Sequence, residues 1–249
     1  MPGPMHQEAH VWLVVPESVQ DPDQLEQFRS ILSDDELARY RRFHFPEDRQ
    51  RFLVSHAMVR QVLSGYASLA PEEWRFTRAQ HGRPEIANPD TTGLRFNLSH
   101  TRGLAACVVT RDCACGIDTE QLDTRHHLAG IARRMFSSEE YRQLETLTGT
   151  ALAEAFFTGW TLREAFVKAR GIGISYPTRK LHFDVKNDRA IRVRFEAELN
   201  EDPARWQFSL LKPAATHVAA VALHTEPACE YRVVQRWFGT DHDGKPGPA

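Results

Sequence analysis

The 249-residue chain has few cysteines, no long apolar run and little net charge. Its four cysteines form no C-x-x-C pair and have no histidines at ligand spacing, so we expect reduced, apolar thiols rather than a zinc site. No stretch approaches the roughly 18 apolar residues of a membrane span, and residues 1–10 lack the regions of a signal peptide. These absences predict a cytoplasmic protein without a membrane partner.

The formal net charge of −2 provides no general attraction to nucleic acid, so any basic site must be local and no nucleic-acid partner is expected. With 41% hydrophobic and 26% charged residues, the composition is that of a globular chain that can bury a core.

The first part of the chain combines helical and strand patterns. Ser33, with Glu36 three residues later, has the pattern of a capping box that starts a helix reaching about Phe43. Pro46 starts a second helix that extends to Gly65. Strands are predicted at residues 11–15, 74–77 and 104–110, and a loop at residues 80–93.

The second part repeats this plan with more helix. Ser137 and Glu140 form another capping-box pattern, and a longer helix runs from Ala151 to Ala169 and ends at Gly171. Residues 115–120 are predicted to return as a strand antiparallel to the preceding one. Further strands are predicted at residues 181–185, 190–195, 206–211 and 217–223, with a hairpin turn at residues 186–188.

These patterns predict an α+β fold. We expect a pseudo-twofold pair of similar α+β halves, each a small, mostly antiparallel sheet with helices packed on it. The predicted N-terminal half comprises residues 1–115 and the C-terminal half residues 116–240, followed by a disordered tail at residues 241–249.

Three carboxylates and a lysine have spacings that could bring a metal and a pyrophosphate together. Asp118 and Glu120 are two residues apart and share one face of a strand, while Glu164 and Lys168 are four apart and share one face of a helix. Each pair also has a simpler explanation. Asp118 and Glu120 could protect an edge strand, and Glu164 with Lys168 could be a solvated ion pair contributing about 0.2 to 0.5 kcal/mol.

The surroundings of Glu164 favour a buried site. Trp160 lies one turn earlier on the same stripe, and further aromatic residues leave little room for a solvated helix face. Unpaired buried charges cost several kcal/mol, so they need partners or a ligand. Neighbouring carboxylates also repel one another unless a cation lies between them, and oxygen ligands suit Mg²⁺ or Mn²⁺. Asp118, Glu120 and Glu164 are therefore candidate metal ligands.

Residues 96–101 alternate apolar and polar side chains and then become polar. The residues alone leave two interpretations equally open: a turn in which side chains satisfy local backbone groups, or a phosphate cradle formed by Ser99 and His100. Arg83, in the turn Gly82-Arg83-Pro84, could also bind a phosphate. The basic residues of the first part could form a solvated surface or hold a phosphorylated ligand; they are Arg39, Arg41, Arg42, Arg49 and Arg51.

Three of these segments, in this order, resemble the signature motifs of the 4'-phosphopantetheinyl transferases of the Sfp type. They are Phe96-Asn97-Leu98-Ser99-His100-Thr101, Gly116-Ile117-Asp118-Thr119-Glu120 and residues 160–171. The turn at residues 82–84 resembles the short motif that precedes the first signature, and residues 39–60 resemble the basic N-terminal segment of the family.

The resemblance implies an enzyme that transfers 4'-phosphopantetheine from coenzyme A to a serine of an apo acyl, peptidyl or aryl carrier protein and releases adenosine 3',5'-bisphosphate. It implies Mg²⁺, with Mn²⁺ as an alternative, held by Asp118, Glu120 and Glu164. Glu164 would be a metal ligand, a general base acting directly or through water, or both, and Lys168 would assist departure of the bisphosphate. Asp118, Glu164 and Lys168 are thus the implied catalytic residues.

The same resemblance implies the residues that bind coenzyme A. Ser99, His100 and Lys168 would contact its phosphates, with His100 at the 3'-phosphate, and Arg51 and Arg83 would assist.

Two positions depart from the family pattern. Arg163 stands where the family often has lysine, which keeps the charge but not the shape. Phe52 stands where some relatives have a small polar residue on the adenine side.

The length of the chain resembles that of two fused halves, which implies a monomer. The carrier protein is acidic, so three arginines are candidate docking groups: Arg133, Arg134 and Arg142.

Two other functions could use the same residues. A magnesium-dependent phosphohydrolase would cleave coenzyme A or a related pyrophosphate without an acceptor, and a non-catalytic module would bind the carrier protein irrespective of metal. The complete set of carboxylates and lysine favours the transferase.

Overall fold

The computed structural model describes residues 7–79, 82–89, 91, 93–124, 128–173, 176–187 and 190–239. Over these residues the chain is a mixed α+β protein, which confirms the predicted fold class. The predicted tail at residues 241–249 lies outside the described residues, as does the end of the predicted turn at residues 186–188. No helix in the described ranges is long and apolar enough to cross a membrane.

The described part of the chain contains six α-helices: α1 (Pro22–Ser30), α2 (Asp34–Arg42), α3 (Pro46–Ser64), α4 (Leu128–Met135), α5 (Ser138–Leu144) and α6 (Gly149–Arg170). Both predicted capping boxes are present, because Glu36 N donates to Ser33 Oγ and Glu140 N donates to Ser137 Oγ. The sequence does not predict α1 and α4, which are short and bury few side chains.

Eleven strands lie in the same ranges: β1 (Glu8–Val14), β2 (Phe76–Arg78), β3 (Pro84–Ile86), β4 (Leu94–Thr101), β5 (Leu104–Arg111), β6 (Ala114–Gln121), β7 (Leu181–Asn187), β8 (Ala190–Phe195), β9 (Trp206–Ala214), β10 (His217–His224) and β11 (Arg232–Trp237). The first sheet has the order β11-β1-β5-β4 and the second the order β6-β10-β9. Two separate hairpins are formed by β2 with β3 and by β7 with β8.

The two sheets pack face to face between two groups of helices. On β5, Ala105 and Cys107 join the core that includes α3, whereas the alternate residues Ala106 and Val108 join the core shared with β6 and β10. The opposite face of β10 packs with α6. The resulting order of layers is α3, first sheet, second sheet and α6, and it explains why β5 is apolar on both faces.

The predicted antiparallel pairing of β6 with β5 is wrong. β5 already has β1 on one side and β4 on the other, so both of its edges are occupied. β6 instead pairs with β10 and begins the second sheet. The chain therefore changes sheets at the turn between β5 and β6.

Residues 96–101 lie in β4, so the interpretation of this segment as a turn with local backbone contacts is wrong. Its polar side chains reach β6, because Ile117 N donates to Asn97 Oδ1 at 2.9 Å and Thr119 N donates to Ser99 Oγ at 3.3 Å. Hydrogen bonds from backbone N–H groups of β6 to side chains of β4 therefore connect the two sheets. The predicted loop at residues 80–93 is also wrong in part, because it contains β3.

β11 is a strand that the sequence does not predict. It pairs in parallel with β1, from Glu8 opposite Arg232 to Leu13 opposite Trp237. β11 thus extends the first sheet although it follows β10 in the chain. The division of the chain at residue 115 stays a prediction.

Candidate active site

The three segments that carry the predicted site lie on β4, β6 and α6, which meet at one junction. A Cβ atom at Gly116 would lie 2.1 Å from Ala165 O and 2.4 Å from Ala169 N. Glycine therefore allows β6 to approach the backbone of α6 closely. Because alternate residues of a strand share a face, Asp118 and Glu120 lie on the same side of β6 as Gly116, toward α6.

Ser99, Asp118 and Lys168 form a closed hydrogen-bonded triangle at this junction. Lys168 Nζ donates to Asp118 Oδ1 at 2.6 Å and to Ser99 Oγ at 2.9 Å, and Ser99 Oγ donates to Asp118 Oδ1 at 3.0 Å. Asp118 is buried, and its Oδ2 atom has no hydrogen-bond partner among the described residues. One residue from each predicted segment therefore meets the other two.

Glu120 and Glu164 are half-buried, and the charges of Asp118 and Lys168 affect the pKa values of both. Burial, followed by the charge of Asp118, raises the pKa of Glu120 to about 7, although Lys168 and a hydrogen bond from Trp160 oppose this. Burial and Asp118 likewise raise the pKa of Glu164, with Lys168 again opposing. Three carboxylates thus face one ammonium group, and an added cation would relieve their repulsion.

The side chains of the described residues include no three His, Cys, Asp or Glu groups already arranged around a metal position. The donor set nevertheless fits a magnesium ion. Asp118 Oδ2 is buried without a partner, and the pKa values of Glu120 and Glu164 are raised in part by like charge. Carboxylate oxygens are also the protein ligands that Mg²⁺ prefers.

Positive groups gather on the other side of the junction, around His100. This side chain retains solvent exposure at the end of β4, but the protein atoms around it disfavour its charged form. Desolvation, and then the positive charges of His56, Arg51 and Lys168, lower the pKa of His100 to about 4. Positive groups that gather in this way favour a bound anion.

Arg51 lies at this cationic side but already has acidic neighbours. Its Nη1 donates to Asp48 Oδ1 at 2.9 Å, and its Nη2 lies 3.8 Å from Glu17 Oε1. Glu17 Oε1 also accepts a hydrogen bond from Gly103 N in the turn after β4. The sequence gives no signal for Glu17, because its contacts are made only in the folded chain.

Arg83 is brought to the end of α6 rather than to the cationic cluster. Its Nη1 donates to Lys168 O at 2.6 Å and to Ala169 O at 3.1 Å. The motif turn at residues 82–84 therefore touches the same residue, Lys168, that donates to Ser99 and Asp118.

Arg163 lies away from the three carboxylates. Only 1% of this residue is exposed, and its Nη2 donates to Glu140 Oε2 at 2.5 Å and to Leu181 O at 2.9 Å. Its guanidinium also lies 4.3 Å from the centre of the Phe136 ring. Arg163 thus joins α6 to α5 and to the start of β7.

Phe52 is buried on α3, where its ring stacks on His56 with centroids 3.9 Å apart.

The three candidate docking arginines are exposed on or near α4 and α5: Arg133, Arg134 and Arg142.

Comparisons with known proteins agree with these motifs. Residues 114–222 match the family model of the 4'-phosphopantetheinyl transferase superfamily, and residues 20–111 match the model described as 4'-phosphopantetheinyl transferase, N-terminal. The chain is 36% identical over 217 residues to the 4'-phosphopantetheinyl transferase HetI of Nostoc sp., which covers 87% of each chain.

Two further relatives come from bacilli. The 4'-phosphopantetheinyl transferase Sfp of Bacillus subtilis is 30% identical over 168 residues, or 68% of this chain and 73% of the relative. The 4'-phosphopantetheinyl transferase psf-1 of Bacillus pumilus is 29% identical over 208 residues, or 82% of this chain and 86% of the relative. The chain belongs to the 4'-phosphopantetheinyl transferase superfamily. Within it, the protein is an enzyme of the Sfp type, which confirms the resemblance found in the motifs.

Proposed function

We propose that this enzyme modifies its apo carrier protein at the junction of β4, β6 and α6, with Mg²⁺ as the cofactor. The observation that carries the proposal is the triangle of Ser99, Asp118 and Lys168, in which each of three separate segments contributes one residue within 3.0 Å of the others. Coenzyme A is the proposed donor of the phosphopantetheine group.

The proposed substrate matches the charges on the two sides of the junction. Asp118, Glu120 and Glu164 would hold Mg²⁺, or Mn²⁺ in its place, and a bound ion would offset the charge of the pyrophosphate and of the leaving group. On the cationic side, Ser99 and His100 would bind phosphates, with His100 at the 3'-phosphate. Arg51 and Lys168 add positive charge there, and Arg83 would add a further phosphate contact.

The proposed reaction is an in-line displacement at phosphorus. The serine oxygen of the carrier protein bonds to the β-phosphorus, the bond from that phosphorus to the bridging oxygen breaks, and adenosine 3',5'-bisphosphate leaves. Glu164 would accept the serine proton, directly or through a water molecule, in addition to or instead of holding the metal. Lys168 would stabilise the negative charge that develops on the departing oxygen.

We further propose that the protein acts as a monomer in the cytoplasm. We also propose that an acidic carrier protein docks near three exposed arginines: Arg133, Arg134 and Arg142. Opposite charge would speed the encounter, so neutralising these arginines should slow association and weaken its dependence on salt. Light scattering coupled to size-exclusion chromatography measures the proposed monomeric state.

The transferase is tested by incubating the protein with coenzyme A, Mg²⁺ and an apo carrier protein and measuring the mass of the intact carrier. We expect the mass of one phosphopantetheine group to be added. Glu164→Gln and Asp118→Ala should abolish the addition while circular dichroism stays unchanged, and chelation of Mg²⁺ should stop it. Glu154→Gln is the matched control, because Glu154 lies on the exposed side of the same helix.

The same assay separates the alternatives. A phosphohydrolase would release phosphate or bisphosphate from coenzyme A in the absence of any carrier. If the protein were a non-catalytic module, a column carrying the immobilised protein would retain the carrier protein whether or not metal was present. If several apo carriers showed no change in mass, the proposed site and reaction would be refuted.

A further inference from the structure

His56 is the only histidine of α3, and 15% of its side chain is exposed. Its Nδ1 atom lies 2.8 Å from Glu36 Oε1 on α2. Because an ionised carboxylate can only accept, Nδ1 carries the hydrogen and donates it to Glu36. Among the described residues, Glu36 is the only hydrogen-bond partner of the His56 side chain. The second ring nitrogen, Nε2, is therefore left for another group.

Glu36 and Phe52 hold the imidazole of His56 in one orientation. Burial raises the pKa of Glu36, but the hydrogen bond from His56 and the charges of His56 and Arg60 lower this pKa to about 2, so the carboxylate is ionised. Arg60 Nη2 also donates to Glu36 Oε2 at 2.6 Å, which fixes the carboxylate. The ring of His56 stacks on buried Phe52 with centroids 3.9 Å apart. Nε2 thus has a preorganised position.

His100 lies on the face of β4 that packs against α3. Three apolar residues at alternate positions of β4 belong to the core formed with α3: Leu94, Phe96 and Leu98. His100 follows them at the same period, whereas Ser99 faces β6. In agreement, desolvation and then the positive charge of His56 contribute most to lowering the pKa of His100. The two imidazoles therefore lie near one another at the end of β4.

Two arginines add positive charge near these histidines. Arg51 follows His56 among the charges that lower the pKa of His100. The guanidinium of Arg39 lies 5.2 Å from the centre of the Phe52 ring. Cationic side chains from α2, α3 and β4 thus gather here. Such a set favours an anion with two negative charges, such as a phosphate monoester, over a singly charged one.

We infer that His56 is a second binding residue for the 3'-phosphate of coenzyme A: its Nε2 donates to a phosphate oxygen while Glu36 holds its Nδ1. With an acceptor at each nitrogen, the imidazole is protonated and donates from both. The 3'-phosphate is the phosphate monoester of coenzyme A, so it carries the charge that this cluster favours. The inference rests on the proposed binding of coenzyme A at this junction, with His100 at the 3'-phosphate.

A comparison of coenzyme A with 3'-dephospho-coenzyme A tests the role of His56. We expect His56→Ala to raise the Kd for coenzyme A by about 10- to 100-fold, the effect of losing one hydrogen bond to a charged group. The Kd for 3'-dephospho-coenzyme A should stay nearly unchanged. Titration calorimetry measures both constants. His44→Ala is the matched control, because His44 is exposed just before α3 and should affect neither.

A purely structural role for His56 predicts a different result. If His56 only joined α3 to Glu36, its loss would weaken the binding of both ligands by the same factor, and that outcome would overturn the inference. His56→Gln repeats the comparison if His56→Ala does not fold. The glutamine amide can still donate to Glu36 but carries no positive charge, so the same selective loss is expected.

A second measurement observes the imidazole directly and does not depend on turnover. In nuclear magnetic resonance spectra, saturating adenosine 3',5'-bisphosphate should shift the Nε2 signal of His56 toward that of protonated imidazole. Adenosine 5'-monophosphate, which lacks the 3'-phosphate, should shift it much less. An unchanged signal with the bisphosphate bound would refute the contact. If the wild type showed the shift but transferred no phosphopantetheine, the proposed reaction would fail and this inference would stand.

Discussion

His100 is uncharged at neutral pH, because desolvation and neighbouring cations lower its pKa to about 4. A phosphate bound beside the ring would favour the protonated form and raise this pKa. A group whose pKa rises on binding takes up a proton, so binding should weaken as pH rises through the pKa of the bound state.

We therefore predict that coenzyme A binding at pH 7 is accompanied by proton uptake that depends on His100. Titration calorimetry in buffers with different heats of ionisation measures the number of protons. His100→Asn should reduce the uptake, and 3'-dephospho-coenzyme A should reduce it in the wild type. Equal uptake by the two proteins would place the titrating group elsewhere.

The alignment of the acidic residues in the site can be predicted from their spacing in the sequence. The periods of strand and helix predict that Asp118 aligns with Glu120 and Glu164 with Lys168, because these periods depend only on local backbone geometry. The contacts of Arg163 and Glu17 could not be predicted in this way. Their partners are determined by tertiary packing, and a charged residue in a sequence does not reveal whether it faces a ligand or a buried carboxylate.

The contact between β6 and α6 depends on the absence of a side chain at Gly116. A Cβ there would overlap backbone atoms of Ala165 and Ala169, which cannot rotate away. We predict that Gly116→Ala lowers the free energy of unfolding by about 1 to 3 kcal/mol, as overpacking does, and lowers kcat because Asp118 and Lys168 move apart. Urea titration and the carrier-modification assay measure the two effects.

Gly130 provides a matched control, because a Cβ there would meet no atom within 4 Å. Gly130→Ala on α4 should leave kcat unchanged and should not lower the free energy of unfolding, because alanine favours a helix by up to about 1 kcal/mol relative to glycine. A stable, fully active Gly116→Ala enzyme would contradict this explanation of the glycine in the second motif.

Two helices are anchored by the same arrangement of buried charge. In each case the glutamate of a capping box also accepts from an arginine on the long helix that follows: Arg60 Nη2 lies 2.6 Å from Glu36 Oε2, and Arg163 Nη2 lies 2.5 Å from Glu140 Oε2. The spacing along the chain is nearly equal, at 24 and 23 residues. This recurrence supports the predicted pair of similar halves.

We predict that Arg163→Met lowers the free energy of unfolding by roughly 3 to 5 kcal/mol, because Glu140 is left partly buried without its cation. The double variant Arg163→Met with Glu140→Gln should be more stable than Arg163→Met alone, since no unpaired charge remains. Denaturant unfolding of both variants tests this, and a double variant no more stable than Arg163→Met would exclude a penalty from unpaired charge.

The sequence predicts four of the six helices described here, and the reason lies in their caps and length. α2 and α5 begin with capping boxes, while α3 and α6 are long enough to show a helical period. Strand partners were harder to predict. The pairing of β6 depends on whether the edges of β5 are free, which is a property of the assembled sheet rather than of either strand.

β11 covers an edge of the first sheet that β1 would otherwise expose. Arg232 forms an ion pair with Glu8, and Phe238 N donates to Leu13 O. We predict that ending the chain after residue 231 lowers the melting temperature and causes aggregation, because an unpaired edge strand recruits other chains. Ending it after residue 239 retains β11 and should change neither property; thermal unfolding and size-exclusion chromatography measure both.

The parallel pairing of β1 and β11 also determines when the protein can complete its fold. β1 leaves the ribosome before every other strand of the first sheet, but the strand that completes its edge emerges only after β10. β5 and β4 can join β1 earlier, so the first sheet can assemble while one side stays open. The edge closes only after β11 has left the ribosome, and until then the nascent protein exposes the edge of β1 to other chains.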